Sequence, residues 1–268
     1  DSVPMGYLAL ILCDNITVEN ILNTPENTVL TGNDAGILFI STINSIIQNC
    51  DLNDNLNGIY IYDSFNNIFS ENNLSYNYGN DEINGFFLKN SSNNTISNNI
   101  ASNIVLESSD DNIISKNNIT DINHYYQDYY SGINLESSSG NTISENNITG
   151  NENTFEYFSG IILSNSIQNT ISCNSISLFF NGIKLLNSTN NFISQNNLTA
   201  SVKSWTILYQ ILFSQSATYG ISLDGSINNI VSNNNIINNG FGIYLYSASA
   251  NQIMENYVND CWAGIILD

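Results

Sequence analysis

His124 is the single histidine of the chain, and Asp121 and Asp128 flank it in the segment DINHYYQD. General acid–base chemistry needs such groups within reach of one another, so this trio is the first place to look for an active site. The remaining inventory is thin. Arginine is absent, and the lysines are Lys89, Lys116, Lys184 and Lys203. Asp110 and Asp111 form the one pair of adjacent aspartates, in a Ser- and Asn-rich stretch that reads as a polar turn. A glycosidase sets two carboxylates across a cleft at a defined separation, and no such pair stands out. A solvated loop histidine is the commoner meaning of His124. No catalytic residue is assigned, and the chain is read as a non-enzyme.

Metal chemistry fares no better. Cys13, Cys50, Cys173 and Cys261 show no CxxC spacing, so neither a metal ligand set nor a cofactor is expected. Their disulfide pairing stays open, except that Cys173 and Cys261 fall four repeats apart, ~19 Å along the axis, too far for one bridge. Cys50 falls in an inward column and reads as a small core residue. The formal net charge of −20 disfavours nucleic acid, whose phosphates call for Lys and Arg, and disfavours an anionic membrane. Calcium bridging between surface carboxylates is compatible with it. Leu8–Leu12 is a short apolar run, and no stretch reaches the ~18 apolar residues of a membrane span, so no membrane insertion is expected.

What organises the chain is a repeat. Gly132–Ile148 reads GINLESSSGNTISENNI, and related phrases begin at Gly6, Gly36, Gly58, Gly85, Asn103, Gly160, Gly182, Gly220, Gly242 and Gly264. The steps 36 to 58, 160 to 182, 220 to 242 and 242 to 264 are each 22 residues. A fixed period in this range marks a solenoid. Counting the first residue of the phrase as zero, apolar residues fall at +1, +3, +11 and +16, in short alternating runs broken by Ser, Asn and Gly. Such runs are strands separated by turns. Three short strands cannot pair within one unit, so each must pair with its counterpart in the next. The expected fold is all-β: a right-handed parallel β-helix of three sheets, about ten coils and a partial eleventh, ~50 Å long. Residues 1–268 form one domain, with 1–35 as an irregular first coil and 200–219 as a long aromatic insertion.

Polar columns accompany the apolar ones. Asn recurs at +9 (Asn15, Asn67, Asn94, Asn112, Asn141 and onward) and at +14 (Asn20, Asn72, Asn117, Asn146 and onward), with Asn98 joining if its coil lost one residue. Ser recurs at +6. Stacked amides satisfy one another and the bend backbone, so an inward Asn ladder is expected. Asn73, Asn118, Asn147 and Asn197 stand at +15, facing outward, each within an N-x-S/T triplet. These four are the expected glycosylation sites of a secreted, cell-surface protein.

Every large insertion falls between the +16 strand and the next zero position, so the insertions emerge along one edge of the rod. That edge collects aromatics, Phe158 and Tyr219 among them, with Tyr125, Tyr126, Tyr129, Tyr130 and Tyr157 as a candidate glycan contact. As a helix, the insert Trp205–Phe213 would place Trp205, Tyr209 and Phe213 on one face. Together with Tyr7 and Leu8 at one end and Gly264, Ile265 and Leu267 at the other, it supplies a candidate subunit interface for head-to-tail stacking.

The consensus GIxLxxSxxNTISxNNI resembles the repeats of NosD-like parallel β-helix proteins, a superfamily shared with carbohydrate-binding proteins and sugar hydrolases. Similar Asn- and Ile-rich arrays occur in surface and adhesin-like proteins of methanogenic archaea. The resemblance covers Gly6 to Asp268 and implies the fold; the superfamily hosts lyases, hydrolases, epimerases and inert scaffolds alike. The copper-related role attached to the name NosD has no counterpart here in repeated Cys, Met or His. The expected function is a non-enzymatic subunit of a surface filament, sheath or layer whose partner is another copy or another surface protein. The alternatives are a glycan-binding adhesin-like module and a polysaccharide lyase or hydrolase.

Overall fold

The computed structural model describes residues 8–22, 34–53, 55–75, 77, 84–120, 131–150, 158–199 and 218–268. The chain winds as a right-handed parallel β-helix of three sheets, with eleven, ten and eight strands. Each strand of a sheet belongs to a different coil. The first sheet holds the longest strands, such as Ser131–Glu136, Ser159–Ser164 and Asn181–Leu186. The second holds three-residue strands such as Thr142–Ser144 and Thr170–Ser172. The third holds strands such as Asn147–Thr149 and Asn197–Thr199. All pairings are parallel and keep the repeat in register: Ile133 lies beside Ile161, Ile143 beside Ile171, and Ile148 beside Ile176.

Register follows from burial. Ile133, Leu135, Ile143 and Ile148 are wholly buried, and so are their counterparts in the neighbouring coils. A slip of one residue would turn every one of them to solvent. Each buried Ile or Leu contributes about 1.5–3 kcal/mol of apolar transfer, and the columns merge into one continuous core.

The zero position is glycine because the next coil's backbone lies against it. A Cβ on Gly132 would sit 2.4 Å from Ile148 Cγ2 and 2.8 Å from the Gly160 carbonyl oxygen. Where Asn103 replaces glycine, its Oδ1 accepts the Gly85 N–H at 2.8 Å.

The bends use left-handed backbone at three fixed places. In the coil of Gly132 these are Ser137, Gly140 and Glu145; in the coil of Gly160 they are Asn165, Gln168 and Cys173, and there Leu178 adds a fourth left-handed residue. The residue after each left-handed one turns inward, which is what places the polar columns. At Asn141 the amide is fully used. Its Oδ1 accepts the Asn112 N–H (2.8 Å) and Nδ2 (3.1 Å), while its own Nδ2 donates to the Ser109 carbonyl (3.0 Å) and to Asn169 Oδ1 (3.1 Å). Among the described residues, Ser102 Oγ alone is a buried side-chain polar atom without a partner.

Three expected ladder members are displaced. Leu8 pairs with Ile37, so the first coil runs one residue out of the phase set by Gly6. Asn15 and Asn20 therefore fall on left-handed bends and are exposed. Ile16 and Ile21 take their inward places; the Ile16 N–H donates to Ser45 Oγ at 3.1 Å. In the short coil of Gly85 the ladder residue is Asn99, not Asn98. Asn99 Oδ1 accepts the Asn72 N–H at 2.9 Å, and Asn98 is the left-handed residue before it. That coil loses its residues after the third strand, not within the ladder.

Candidate functional surface

Position parity decides what the first sheet shows to solvent. Residues at +1 and +3 point in, so those at +2 and +4 point out. On two early coils the outward places hold Tyr60 and Phe87, whose rings stack at 5.0 Å. Beside them Lys89 Nζ lies 2.7 Å from Glu107 Oε1. The Glu107 hydrogen bond, then its charge, raises the Lys89 pKa.

Six rings gather toward the other end of the same face: Phe180, Tyr219, Phe241, Tyr244, Tyr246 and Trp262. Centroid separations run from 5.1 Å (Tyr219–Tyr244) to 6.5 Å (Tyr244–Tyr246). Phe241 lies 5.4 Å from both Tyr219 and Trp262. The rings of Tyr244 and Tyr246 are nearly parallel, 12° apart. Tyr246 is 47% exposed and Trp262 82% exposed, so the cluster has an open side. Asp224 lies beside Tyr246 in the sheet. The Tyr244 hydroxyl donates to Asp268 Oδ2 at 3.0 Å. Desolvation, then this hydrogen bond, pushes the Tyr244 phenol up to about 12.

The loop-borne aromatics expected to form the contact edge (Tyr125, Tyr126, Tyr129, Tyr130 and Tyr157) lie outside the described residues, as do His124, Asp121, Asp128, Tyr7, Trp205, Tyr209 and Phe213. Two members of the expected edge are described. Phe158 is buried and belongs to the core, while Tyr219 belongs to the six-ring cluster. The sequence reading missed Phe241, Tyr244, Tyr246 and Trp262 as a group. Their signal was present in FGIYLY, where aromatics alternate with inward Ile and Leu.

Asn73, Asn118, Asn147 and Asn197 all stand in the third sheet at its outward position. Asn147 Nδ2 donates to Asn118 Oδ1 at 2.9 Å, and Asn73 Nδ2 to Asp51 Oδ1 at 2.7 Å. Gly264, Ile265 and Leu267 lie in the last first-sheet strand, paired to Phe241–Tyr246. Leu8 lies in the first, at the opposite end of the sheet. Asp110 and Asp111 sit at a bend, where Asp110 Oδ1 accepts the Ser139 N–H at 2.7 Å. Among the described residues, no three His, Cys, Asp or Glu side chains gather into a metal-holding group, and no helix is long and apolar enough to cross a membrane.

A family model described as "Periplasmic copper-binding protein (NosD)" matches residues 13–126, 122–211 and 206–268. The chain belongs to the NosD family. No curated protein matches it. Among solved structures it is similar to the Dettilon tailspike protein, at 14% identity and a TM-score of 0.60, over 93% of this chain and 60% of that one. It is similar to a mutant DFA-IIIase of Arthrobacter chlorophenolicus A6 in complex with DFA-III, at 16% identity and a TM-score of 0.62, over 85% and 59%. It is also similar to a double mutant of the periplasmic alginate epimerase AlgG, at 14% identity and a TM-score of 0.53, over 95% and 68%. The chain thus spans about 60% of the length of the first and second of these proteins. At such identities the likeness shows the shared β-helix and no more.

The described residues do not fit the copper of the family's name. Copper favours thiolate, thioether and imidazole ligands. Cys50 is buried in the +14 column, its thiol donating to the Gln48 carbonyl at 3.2 Å. Burial raises its pKa, and that of Cys261, which holds both thiols in the protonated form. Cys173 is the left-handed residue of a bend, exposed. The thiols are spread over separate coils, and no step is derived through a metal.

Proposed function

We propose that the chain is a non-catalytic, extracytoplasmic β-helix that binds a neutral polysaccharide along the outer face of its first sheet. The six-ring cluster carries this reading. Flat aromatic faces held by a rigid sheet stack on the C–H faces of sugar rings, and they lose little side-chain entropy in doing so. Asp224 and Asp268 at its rim offer acceptors to sugar hydroxyls. The net charge of −20 opposes a polyanion. Membership of a family described as periplasmic supports a place outside the cytoplasm, and the cell surface is the site proposed here. The test is native electrophoresis through gels containing a neutral polysaccharide. Retardation of the chain, lost in Tyr246→Ala and in Trp262→Ala, is expected. Absence of retardation across neutral glucans, mannans and galactans would defeat the glycan reading, and release of new reducing or unsaturated ends would defeat the non-catalytic one.

A further inference from the structure

Outward aromatic rings gather on one sheet. Among the described residues, the strands of the second sheet carry one, Phe192, and those of the third carry one, Tyr257. The first sheet carries five at its +2 and +4 places, and they stand toward its two ends: Tyr60, Tyr62 and Phe87 on early coils, Tyr244 and Tyr246 on a late one. Strand pairing sets these rings in shared columns. The +2 column runs unbroken from Tyr60 through Phe87, Asn134 and Lys184 to Tyr244, and the +4 column from Tyr62 to Tyr246. Six coil steps of ~4.8 Å place Phe87 about 29 Å from Tyr244. The early rings make a platform of their own. Phe87 is partly exposed, Tyr60 stacks on it with 24° between the planes, and Tyr62 stands two residues along the strand from Tyr60. Between the two platforms the surface is polar and balanced. The outward Lys89 and Lys184 offset Glu107 and Glu136, so two of the chain's four lysines stand on this stretch of a protein of net charge −20.

We infer that the early platform is a second subsite, and that the ligand is a long, extended, neutral glycan chain laid lengthwise on the first sheet from Phe87 to Tyr244. This rests on the glycan reading of the six-ring cluster and adds the length and direction of the ligand. Shape argues for a linear occupant. Two columns about 7 Å apart and about 34 Å long outline a ribbon far below the ~800 Å² that a globular partner covers on each side. A polypeptide strand is disfavoured, because every strand from Ala35–Ile40 to Phe241–Tyr246 is already paired on both sides and leaves no backbone edge to join. Polyanions are opposed by the net charge. A sugar chain offers C–H faces to the rings at each end and hydroxyls to the carboxylates, ammonium groups and Asn134 amide between them. The rigid spacing selects an extended chain, since one that folds back between the platforms reaches only one of them. With one end held, the other end meets its platform at high effective concentration.

The test is calorimetric titration with oligosaccharides of graded length, cut from the neutral polysaccharide that retards the chain in gels. Affinity should stay low for lengths that cover the six-ring cluster alone and rise about 100-fold or more once an oligosaccharide reaches ~29 Å. Phe87→Ala combined with Tyr62→Ala should bring the long oligosaccharide down to the affinity of the short one. Phe87→Leu, which keeps apolar bulk without a ring, should remove most of the rise, and the thermal midpoint of each variant checks its folding. Affinity independent of length in the parent chain, or a full rise retained in both variants, would overturn the second subsite and leave the six-ring reading standing. No binding at any length would remove the six-ring reading and this inference with it.

Discussion

Replacing Asn146 by leucine tests the inward ladder. Asn146 Oδ1 accepts the Asn117 N–H (2.9 Å) and Asn117 Nδ2 (3.0 Å), and its Nδ2 donates to the Ile114 carbonyl (3.0 Å) and to Asn174 Oδ1 (2.9 Å). Not all four losses weigh equally. Asn117 Nδ2 keeps the Ile96 carbonyl, and Asn174 Oδ1 keeps the Asn146 N–H. The groups that lose the side-chain partner outright are the Asn117 N–H and the outer lone pair of the Ile114 carbonyl, both in the core. Each such orphan costs about 1–3 kcal/mol. The added apolar bulk of leucine recovers about 1 kcal/mol. The net expectation is a loss of about 3 kcal/mol. Asn147→Leu is the internal control: one residue on, it faces solvent and forfeits one exposed bond to Asn118, so its cost stays below about 0.5 kcal/mol. Urea denaturation followed by far-ultraviolet circular dichroism compares the two midpoints. Because solenoids can unfold in segments, the slopes are compared too. Equal midpoints for the two variants would refute the assignment of inside and outside on which the fold rests.

Other outcomes follow from particular contacts. Gly132→Ala should destabilise by about 1–3 kcal/mol, since its methyl group meets the Gly160 carbonyl, whereas Gly264→Ala, with nothing within 4 Å of the added carbon, should leave the thermal midpoint unchanged; a similar loss at both would show that the close approach is not what selects glycine. In the folded chain, Cys173 should react with a thiol reagent at neutral pH while Cys50, buried and with its pKa raised, reacts only on unfolding; rapid modification of Cys50 would contradict its place in the core. We also propose glycosylation of the third sheet's outward stripe. Peptide mapping of native material should find sugar on at least two of Asn73, Asn118, Asn147 and Asn197, and four bare sites would remove that proposal.

Much of the architecture follows from one-dimensional information, because a solenoid repeats its contacts with the period of its sequence. Alternation around Ile133 and Ile143 settles which side chains face in, and the spacing of glycine sets where a coil begins. The same logic failed locally. At Gly6 the repeat is loose, and the phase could be set only by pairing: Leu8 beside Ile37 shifts the first coil by one residue and turns Asn15 and Asn20 outward. At Asn98 and Asn99, two adjacent asparagines are indistinguishable in composition. The left-handed bend at the first and the amide bonds to the second distinguish them. Surfaces were less legible than the core for a physical reason. Inward positions are constrained at every coil, so they leave a pattern in sequence. Outward ones acquire meaning only when residues such as Tyr219, Phe241 and Trp262, up to 43 positions apart (262 − 219), are stacked side by side. The six-ring cluster exists only in the wound chain, where residues one coil apart become neighbours at ~4.8 Å.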